Sequence, residues 1–203
     1  MTGCLNVTPP GHQIPERGVV PPISREVQMK SYEVTKMLNG MHNAILTIGL
    51  PGCGKSTWAA HNALGFRIIE RDIIRSRLCE ELGIEFSWAT WDTSLEGRVT
   101  QLGDTDLAQA VADGADICCS DTNLNPRYRR RLAERLLGAG YSVTCVLFDI
   151  PVRVCKVRNA LRGPMAVDKS AYERLIPLFL DARSSLEQEC SRLGATLIRL
   201  TDH

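Results

Sequence analysis

The sequence predicts an α/β protein with a five-stranded parallel sheet flanked by helices, and three observations lead to this prediction. From residue 44 onward, short apolar runs alternate with longer stretches of helical periodicity. The runs lack strict apolar–polar alternation, as expected for strands that helices cover on both faces. The first run leads directly into a glycine-rich turn and a helical pattern, which is the start of a βα unit. The predicted strands are 44–48, 67–70, 116–120, 143–148 and 196–200.

Helices are predicted between these strands. They lie near residues 56–63, 72–82, 94–113, 126–138, 151–161 and 169–192. Asn125 and Pro126 carry the pattern of a cap and a first helical turn, whereas Pro177 is expected to interrupt or kink the last helix. Parallel strands with right-handed crossovers bind ligands beyond their carboxyl ends. The loops of interest therefore follow Ile48, Glu70, Ser120 and Phe148.

The chain is expected to divide into an N-terminal arm, residues 1–43, and one α/β domain, residues 44–203. Five prolines and little apolar periodicity predict a flexible arm over residues 1–23. Residues 24–39 have the spacing of an amphipathic helix, which is expected to pack on its own domain, with homo-oligomerisation as the alternative.

Composition places the chain among soluble globular proteins. Its 203 residues suit one α/β domain, and 44% hydrophobic and 23% charged residues are ordinary values. Neither a signal peptide nor an apolar run of membrane-spanning length occurs, so we expect a cytoplasmic protein without a membrane partner. The eight cysteines lack metal-ligand spacing and are expected to be reduced thiols. With a net charge of +1, any nucleic-acid contact must come from a local basic patch.

The most specific single motif follows the first strand and reads Gly49-Leu50-Pro51-Gly52-Cys53-Gly54-Lys55-Ser56-Thr57. This is the phosphate-loop pattern G-x-x-x-x-G-K-S, whose glycines let backbone N–H groups approach an anion. Lys55 then reaches the β- and γ-phosphates, and the Ser56 hydroxyl ligates Mg²⁺. The start of a helix near Lys55 adds a favourable dipole. We therefore predict that residues 49–57 bind a nucleoside triphosphate with Mg²⁺, in a P-loop phosphotransferase fold.

Polar residues after the second and third strands are candidates for the acceptor side of a transfer reaction. Asp72 stands where a helix begins, and Arg75 follows one turn later on the same face. A carboxylate there can accept the proton of an attacking hydroxyl, and Arg75 can hold an anionic acceptor; a helix-capping Asp beside a solvated Arg is the alternative. Asp121 ends the third strand, where phosphate-loop proteins organise Mg²⁺ or its waters, although the segment could be only a turn.

Two groups of basic residues complete the set of candidates. Arg153, Lys156, Arg158 and Arg162 surround Asn159 and end at Gly163. Such a lid segment can close over the triphosphate, and a solvated helix face is the alternative. The second group is interpreted as solvated, with nucleic-acid binding as the alternative; it consists of Arg127, Arg129, Arg130, Arg131 and Arg135.

The combined motifs resemble the kinase domain of the T-even bacteriophage polynucleotide kinase/phosphatase family. The resemblance covers roughly residues 44–180, in order and at nearly constant spacing. The matching segments are Ile45-Leu-Thr-Ile-Gly, Pro51-Gly-x-Gly-Lys-Ser-Thr-Trp-Ala59, Arg71-Asp72 with Arg75, Glu96-Gly97-x-Val99-Thr100, Ser120-Asp-Thr-Asn-Leu-Asn-Pro126, Phe148-Asp149-x-Pro151 and Arg158-Asn159-x-x-Arg162-Gly163. The segment from Ser120 to Pro126 is far more specific than a phosphate loop alone.

This resemblance implies a 5′-hydroxyl polynucleotide kinase that transfers the γ-phosphate of ATP, with Mg²⁺, to a DNA or RNA end in nucleic-acid repair. It implies that Asp72 is the general base, and that Arg162, with Arg158 near it, contacts the donor phosphates together with Lys55. On the acceptor side it implies that Arg75 and Thr122 contact the phosphate 3′ to the reacting hydroxyl. Asp121 is then expected to order the site by pairing with Arg75.

The chain also departs from that family. The phosphatase motif Asp-x-Asp-Gly-Thr does not occur in these 203 residues, so the resemblance concerns the kinase domain only. Trp91 and its neighbours look like a short insertion, and Trp88 or Trp91 is expected either to stack on a base or, with a slight preference, to be buried. Two other functions stay open: a small-molecule or nucleoside kinase on the same fold, and a P-loop NTPase switch that phosphorylates nothing.

Overall fold

The computed structural model describes residues 42–201 and confirms the predicted five-stranded parallel sheet. The strands are β1 (Asn43–Ile48), β2 (Arg67–Ile69), β3 (Ile117–Cys119), β4 (Ser142–Asp149) and β5 (Thr196–Thr201). They are arranged in the order β2-β3-β1-β4-β5, and every neighbouring pair is parallel. The predicted arm and the predicted helix over 24–39 lie outside the described residues.

Six α-helices cover the sheet within residues 42–201, close to the predicted positions. They are α1 (Lys55–Asn62), α2 (Arg71–Glu81), α3 (Glu96–Ala112), α4 (Pro126–Gly138), α5 (Val152–Ala160) and α6 (Lys169–Leu193). Helix α6 continues through Pro177, so an interruption there is wrong, whereas the alternative expectation of a kink stays a prediction. Tyr172 and Phe179 are buried on either side of Pro177, and their packing outweighs the loss of one backbone hydrogen bond.

The central strand β1 positions the phosphate loop. All six of its residues are buried, and it pairs with β4 in continuous register from Asn43 opposite Ser142 to Ile48 opposite Leu147. Its other neighbour is β3, so β1 ends among strand ends on both sides. The loop that follows Ile48 therefore opens at the carboxyl edge of the sheet, where α/β proteins bind ligands.

The core holds the cysteines as small apolar side chains. All seven cysteines within residues 42–201 are free and buried. Burial raises the pKa of the Cys118 thiol to about 12, which disfavours the reactive thiolate. Among the helices of the described part of the chain, none combines the length and the apolar character needed to cross a bilayer.

Candidate active site

The phosphate loop takes a backbone path that needs glycine at two positions. Gly52 and Gly54 have φ angles of +81° and +100°, in the left-handed region. A Cβ on Gly52 would lie 2.5 Å from the carbonyl oxygen of Cys155 and 2.8 Å from the amide nitrogen of Asn159. Since both contacts are to the backbone around α5, the loop packs directly against the helix that carries the predicted lid residues.

Lys55 begins α1 and is held by the loop itself. Its side chain donates from Nζ to the carbonyl oxygens of Gly49, at 3.1 Å, and Leu50, at 2.9 Å. The residue is only 8% exposed, and the Tyr172 hydroxyl fixes the loop from outside by donating to the Pro51 carbonyl at 3.1 Å. The ammonium group is thus fixed at a helix N-terminus, where backbone N–H groups already favour a phosphate.

Ser56 connects the phosphate loop to the end of β2. Its hydroxyl donates to Oε1 of Glu70 at 3.0 Å. Burial raises the pKa of the Glu70 carboxyl, and the nearby carboxylates of Asp72 and Asp121 raise it further. Glu70 itself was not predicted to belong to the candidate site, although the loop after it was predicted to matter. The only sequence signal was its position at the carboxyl end of a strand.

This donor set fits Mg²⁺. Within residues 42–201 no group of three or more His, Cys, Asp or Glu side chains is arranged to hold a metal ion alone. Mg²⁺ needs no such group, because it keeps several waters and takes phosphate oxygens as ligands. Ser56 and the phosphates of a bound nucleotide would hold the ion, and Glu70 would bind its waters. The ion would neutralise charge that the local carboxylates leave uncompensated.

Asp72 lies between two arginines from different parts of the chain. Its Oδ1 accepts from Nη1 of Arg75 at 2.7 Å, and its Oδ2 is 3.9 Å from Nη2 of Arg162. Asp72 is the second residue of α2, whose cap position is Glu70, so the alternative of a capping aspartate does not apply. The structure therefore brings together three of the residues that the sequence analysis selected.

Arg75 is paired with Glu96 and not with Asp121, which corrects the expected pairing. Glu96 Oε1 and Oε2 accept from Nε and Nη2 of Arg75 at 2.8 and 3.0 Å. Asp121 instead accepts from the backbone N–H of Arg71 at 2.9 Å and so stabilises the first turn of α2. The expected pairing was wrong because Glu96, 21 residues away in sequence, takes the guanidinium edge.

Two tryptophans lie beside this pair. The guanidinium carbon of Arg75 is 4.7 Å from the centroid of the Trp88 ring and 5.9 Å from that of Trp91. Phe86 contacts both indoles edge to face, with ring centroids 5.5 Å apart in each case. Both indoles are partly buried, and the contact of Trp88 with Arg75 makes it a partner of the arginine. Neither indole is fully buried, and stacking on a base stays a prediction.

The loop that carries Asp121 and Thr122 is fixed to the phosphate loop. The Thr122 carbonyl accepts from the Gly49 N–H at 3.1 Å. Asn123, with φ at +46°, donates its side-chain amide to the carbonyls of Thr47 at 2.8 Å and Cys119 at 3.1 Å. The phosphate loop and the predicted acceptor residue Thr122 are therefore joined by direct hydrogen bonds.

Arg129 supports the same loop from beneath, which corrects its interpretation as a solvated residue. It is 0% exposed, donates from Nη1 to the carbonyl of Asn123 at 2.9 Å, and forms a two-point pair with Glu189 at 2.8 Å for each contact. Asn125 caps α4 as predicted, and Arg129 one turn later lies on the same face as the buried Leu132. That helical spacing was the available signal.

The predicted lid consists of α5 and the turn after it. Asn159 is buried and fixes this turn, since its side chain donates to the Val167 carbonyl at 2.9 Å and accepts from the Val167 N–H at 3.1 Å. The backbone N–H of Trp88 donates to the carbonyl of Pro164, two residues after Arg162, at 3.1 Å. Lys156 instead pairs with Glu173 at 2.6 Å on the surface, which matches the solvated alternative for that residue. Arg162, one of the predicted lid residues, thus lies near Asp72.

Fold and site together define a P-loop kinase-like domain. The model of the AAA domain family matches residues 45–177, well over half of the chain, and the protein belongs to this family.

Solved structures share the fold at low sequence identity. One chain of the AvrRxo1-ORF1:-ORF2 complex with ATP has a TM-score of 0.66 and 14% identity over 88% of this chain. The match spans 60% of the length of that relative. A candidate kinase from Chloroflexus aurantiacus has a TM-score of 0.56 and 16% identity, covering 81% of this chain and 87% of its own. The PezAT toxin–antitoxin system of Streptococcus pneumoniae gives 0.57 and 17%, covering 87% and 76%. At these identities the similarity establishes a shared fold.

Proposed function

We propose that the protein is a 5′-hydroxyl polynucleotide kinase that transfers the γ-phosphate of ATP to a DNA or RNA end. The observation that carries this proposal is the position of Asp72 between Arg75 and Arg162. A carboxylate next to an arginine of the donor lid is arranged for proton transfer from an acceptor hydroxyl. The hydrogen bond from Ser56 to Glu70 supports it further, since it links the donor loop to the helix turn that carries Asp72.

The chemistry assigns a separate task to each group. The phosphate loop and Lys55 bind the β- and γ-phosphates of ATP, and Ser56 would hold Mg²⁺, which would neutralise part of the phosphate charge. Asp72 accepts the proton of the 5′-hydroxyl as its oxygen attacks the γ-phosphorus, while the bond between that phosphorus and the leaving oxygen of ADP breaks. Arg162 stabilises the charge on the transferred group. Arg158 is proposed to bind the same donor phosphates.

Acceptor choice depends on Arg75 and Thr122, which we propose to contact the phosphate 3′ to the reacting hydroxyl. All three nitrogens of the Arg75 guanidinium already have carboxylate partners. Part of its hydrogen-bonding capacity is therefore committed before any acceptor binds. This observation favours a small-molecule kinase as the second candidate, because such an enzyme needs no grip on a 3′-phosphate.

One transfer assay with labelled γ-phosphate separates these functions. The acceptors are an oligonucleotide with a 5′-hydroxyl, the same oligonucleotide with a 5′-phosphate, a nucleoside 3′-phosphate and the unmodified nucleoside. Lys55→Ala is the control for contaminating kinases, since it removes the phosphate-loop ammonium and should abolish transfer to every acceptor.

The proposed function predicts that the oligonucleotide with a 5′-hydroxyl is labelled and that the same oligonucleotide with a 5′-phosphate is not. A charge-assisted contact to the 3′-phosphate is worth about 1.5–3 kcal/mol, so kcat/KM for the nucleoside 3′-phosphate should exceed that for the nucleoside by roughly ten- to a hundredfold. Equal values for these two acceptors would contradict the polynucleotide kinase and favour the small-molecule kinase. Release of inorganic phosphate without transfer to any acceptor would show an NTPase.

A further inference from the structure

Glu96 is the most heavily hydrogen-bonded carboxylate near Asp72. Its two oxygens accept from Nη2 of Arg71 at 2.6 Å, Nε1 of Trp91 at 2.8 Å, and Nε and Nη2 of Arg75 at 2.8 and 3.0 Å. It begins α3 directly after a short helical turn, Thr93–Leu95, which the Asp92 side chain caps. Its position is therefore set by the backbone as well as by its partners.

This arrangement determines the orientation of the Arg75 guanidinium. Glu96 takes the edge formed by Nε and Nη2, and a two-point pair of this kind fixes the plane of the guanidinium group. The guanidinium carbon lies over the Trp88 ring, 4.7 Å from its centroid, and the side chain of Arg75 is only 10% exposed. The remaining nitrogen, Nη1, is then directed to Oδ1 of Asp72 at 2.7 Å. The other oxygen of Asp72 stays on the side of Arg162.

We propose that Glu96 is a positioning residue which, through Arg75, aims the Asp72 carboxylate at the acceptor hydroxyl and limits the hold of Arg75 on an acceptor phosphate. This inference rests on the proposed function, because it assigns a catalytic task to Asp72. Two effects follow from one ion pair. Without the pair, Asp72 loses a fixed orientation and Arg75 gains freedom to bind an anion.

The two effects act in opposite directions on kcat/KM, because one lowers kcat and the other lowers KM or leaves it unchanged. Glu96→Gln preserves side-chain volume but replaces one acceptor oxygen with an NH₂ group that faces the guanidinium, so the two-point pair is lost. We expect kcat to fall on the order of tenfold to a hundredfold, because small misplacements of a catalytic group are costly. We expect the KM of a 3′-phosphorylated acceptor to stay constant or fall, and the KM of ATP to stay within about twofold.

Steady-state kinetics of Glu96→Gln test whether kcat falls while the KM values do not rise, and Glu81→Gln is the matched control. Glu81 is an exposed glutamate that pairs with Arg98 at 3.5 Å, so its variant should keep the kinetic constants of the parent. A second measurement compares melting temperatures, and kinetic constants are determined well below the lower one. A near-normal kcat in Glu96→Gln would overturn the proposal. So would a rise of both KM values together with a lower kcat, because that pattern indicates a general structural role.

Failure of the proposed function gives a different result. If the parent enzyme phosphorylates a small molecule and no polynucleotide end, the proposed function is wrong, and the same comparison is made with that acceptor. Glu96 contacts Asp72 through Arg75 whichever acceptor binds, so kcat should fall with the small-molecule acceptor as well. Its absence overturns the positioning role independently of the identity of the acceptor.

Discussion

Two glutamates near Asp72, Glu70 and Glu96, differ in how far their surroundings balance their negative charge. Burial acts to raise the pKa of Glu96, but hydrogen bonds from Arg75, Arg71 and Trp91 outweigh it and bring that pKa to about 2. Burial also raises the pKa of Glu70, and there it prevails: the hydrogen bond from the Ser56 hydroxyl acts to lower this pKa, but the carboxylates of Asp72 and Asp121 raise it further. In terms of the proposed function, the acceptor side thus balances its charges internally, whereas the donor side leaves negative charge for a cation to balance.

The difference teaches which parts of the site are preorganised. A carboxylate held by several charged or polar donors has a fixed geometry before any substrate binds. A carboxylate that is partly buried and weakly compensated is destabilised until a cation arrives. The pair of Arg75 and Glu96 is therefore held in a fixed geometry, whereas Glu70 and Asp121 are carboxyl groups whose pKa values are raised by burial.

Removing the carboxylate between the two sides should have the largest effect. Asp72→Asn keeps the shape and the contact to Arg75 but removes the proposed general base, so kcat should fall on the order of 10²–10⁴-fold. ATP affinity, measured by calorimetry, should stay near that of the parent. Asp113→Asn, which alters a surface pair with Arg67, is the control. Full activity in Asp72→Asn would assign the residue a structural role only.

The loop that carries Asp121 and Thr122 should lose its support when Arg129 is removed, and this should be the largest effect on the free energy of unfolding. Arg129→Ala removes one partner of a buried pair and leaves Glu189 and two loop carbonyls without their donor. Breaking such a pair costs about 3–5 kcal/mol. Arg130→Ala removes a neighbour of Glu189 that is half exposed, and it should cost less than about 1 kcal/mol. Denaturant unfolding measures both values, and equal small losses would contradict the supporting role of Arg129.

Regular patterns made most of the fold predictable. Apolar runs and helical spacing located all five strands and six helices of residues 42–201, because burial on a parallel sheet imposes those periodicities. Pro177 was misjudged because tertiary packing overrode a local rule. Arg129 was misjudged because its charge was weighed more than its spacing from Leu132 and Leu136 on the buried face of α4.

The site was predictable in part. The phosphate loop, Asp72, Arg75 and Arg162 each stand at a position where local sequence carries a chemical signal. Glu96 carries none, since its meaning comes from contacts with residues 21 and 25 positions away. Resemblance placed Glu96 in a matching segment but gave it no role. Pairings of this kind are set by the folded structure, and single-sequence spacing does not reveal them.

A smaller effect is expected where the lid meets the acceptor side. Arg162→Ala should lower kcat on the order of a hundredfold, because it removes a forked donor from the transferring group. Arg162→Lys keeps the charge without the fork and should recover roughly a tenth of parent activity. Rapid-quench kinetics of the chemical step give both numbers. Equal and mild losses in the two variants would indicate a solvated arginine.

The smallest effect concerns stability and tests the charge comparison itself. Glu70 has a raised pKa, so its contribution favours the folded state at acidic pH and is lost as pH rises through that pKa. Glu96 has a lowered pKa, so its contribution is present above its ordinary pKa of 4.5 and is lost as pH falls from 4.5 towards 2. In EDTA at pH 7, Glu70→Gln should therefore melt above the parent, and Glu96→Gln should melt below it. The deficit in the melting temperature of Glu96→Gln should shrink as pH falls below 4.5.

Glu70→Gln should also need more Mg²⁺ for half-maximal transfer, because glutamine lacks the charge that would bind the waters of the ion. A lower melting temperature for Glu70→Gln at pH 7 would show that its hydrogen bond to Ser56 outweighs the repulsion, and the two sides of the site would then be compensated alike.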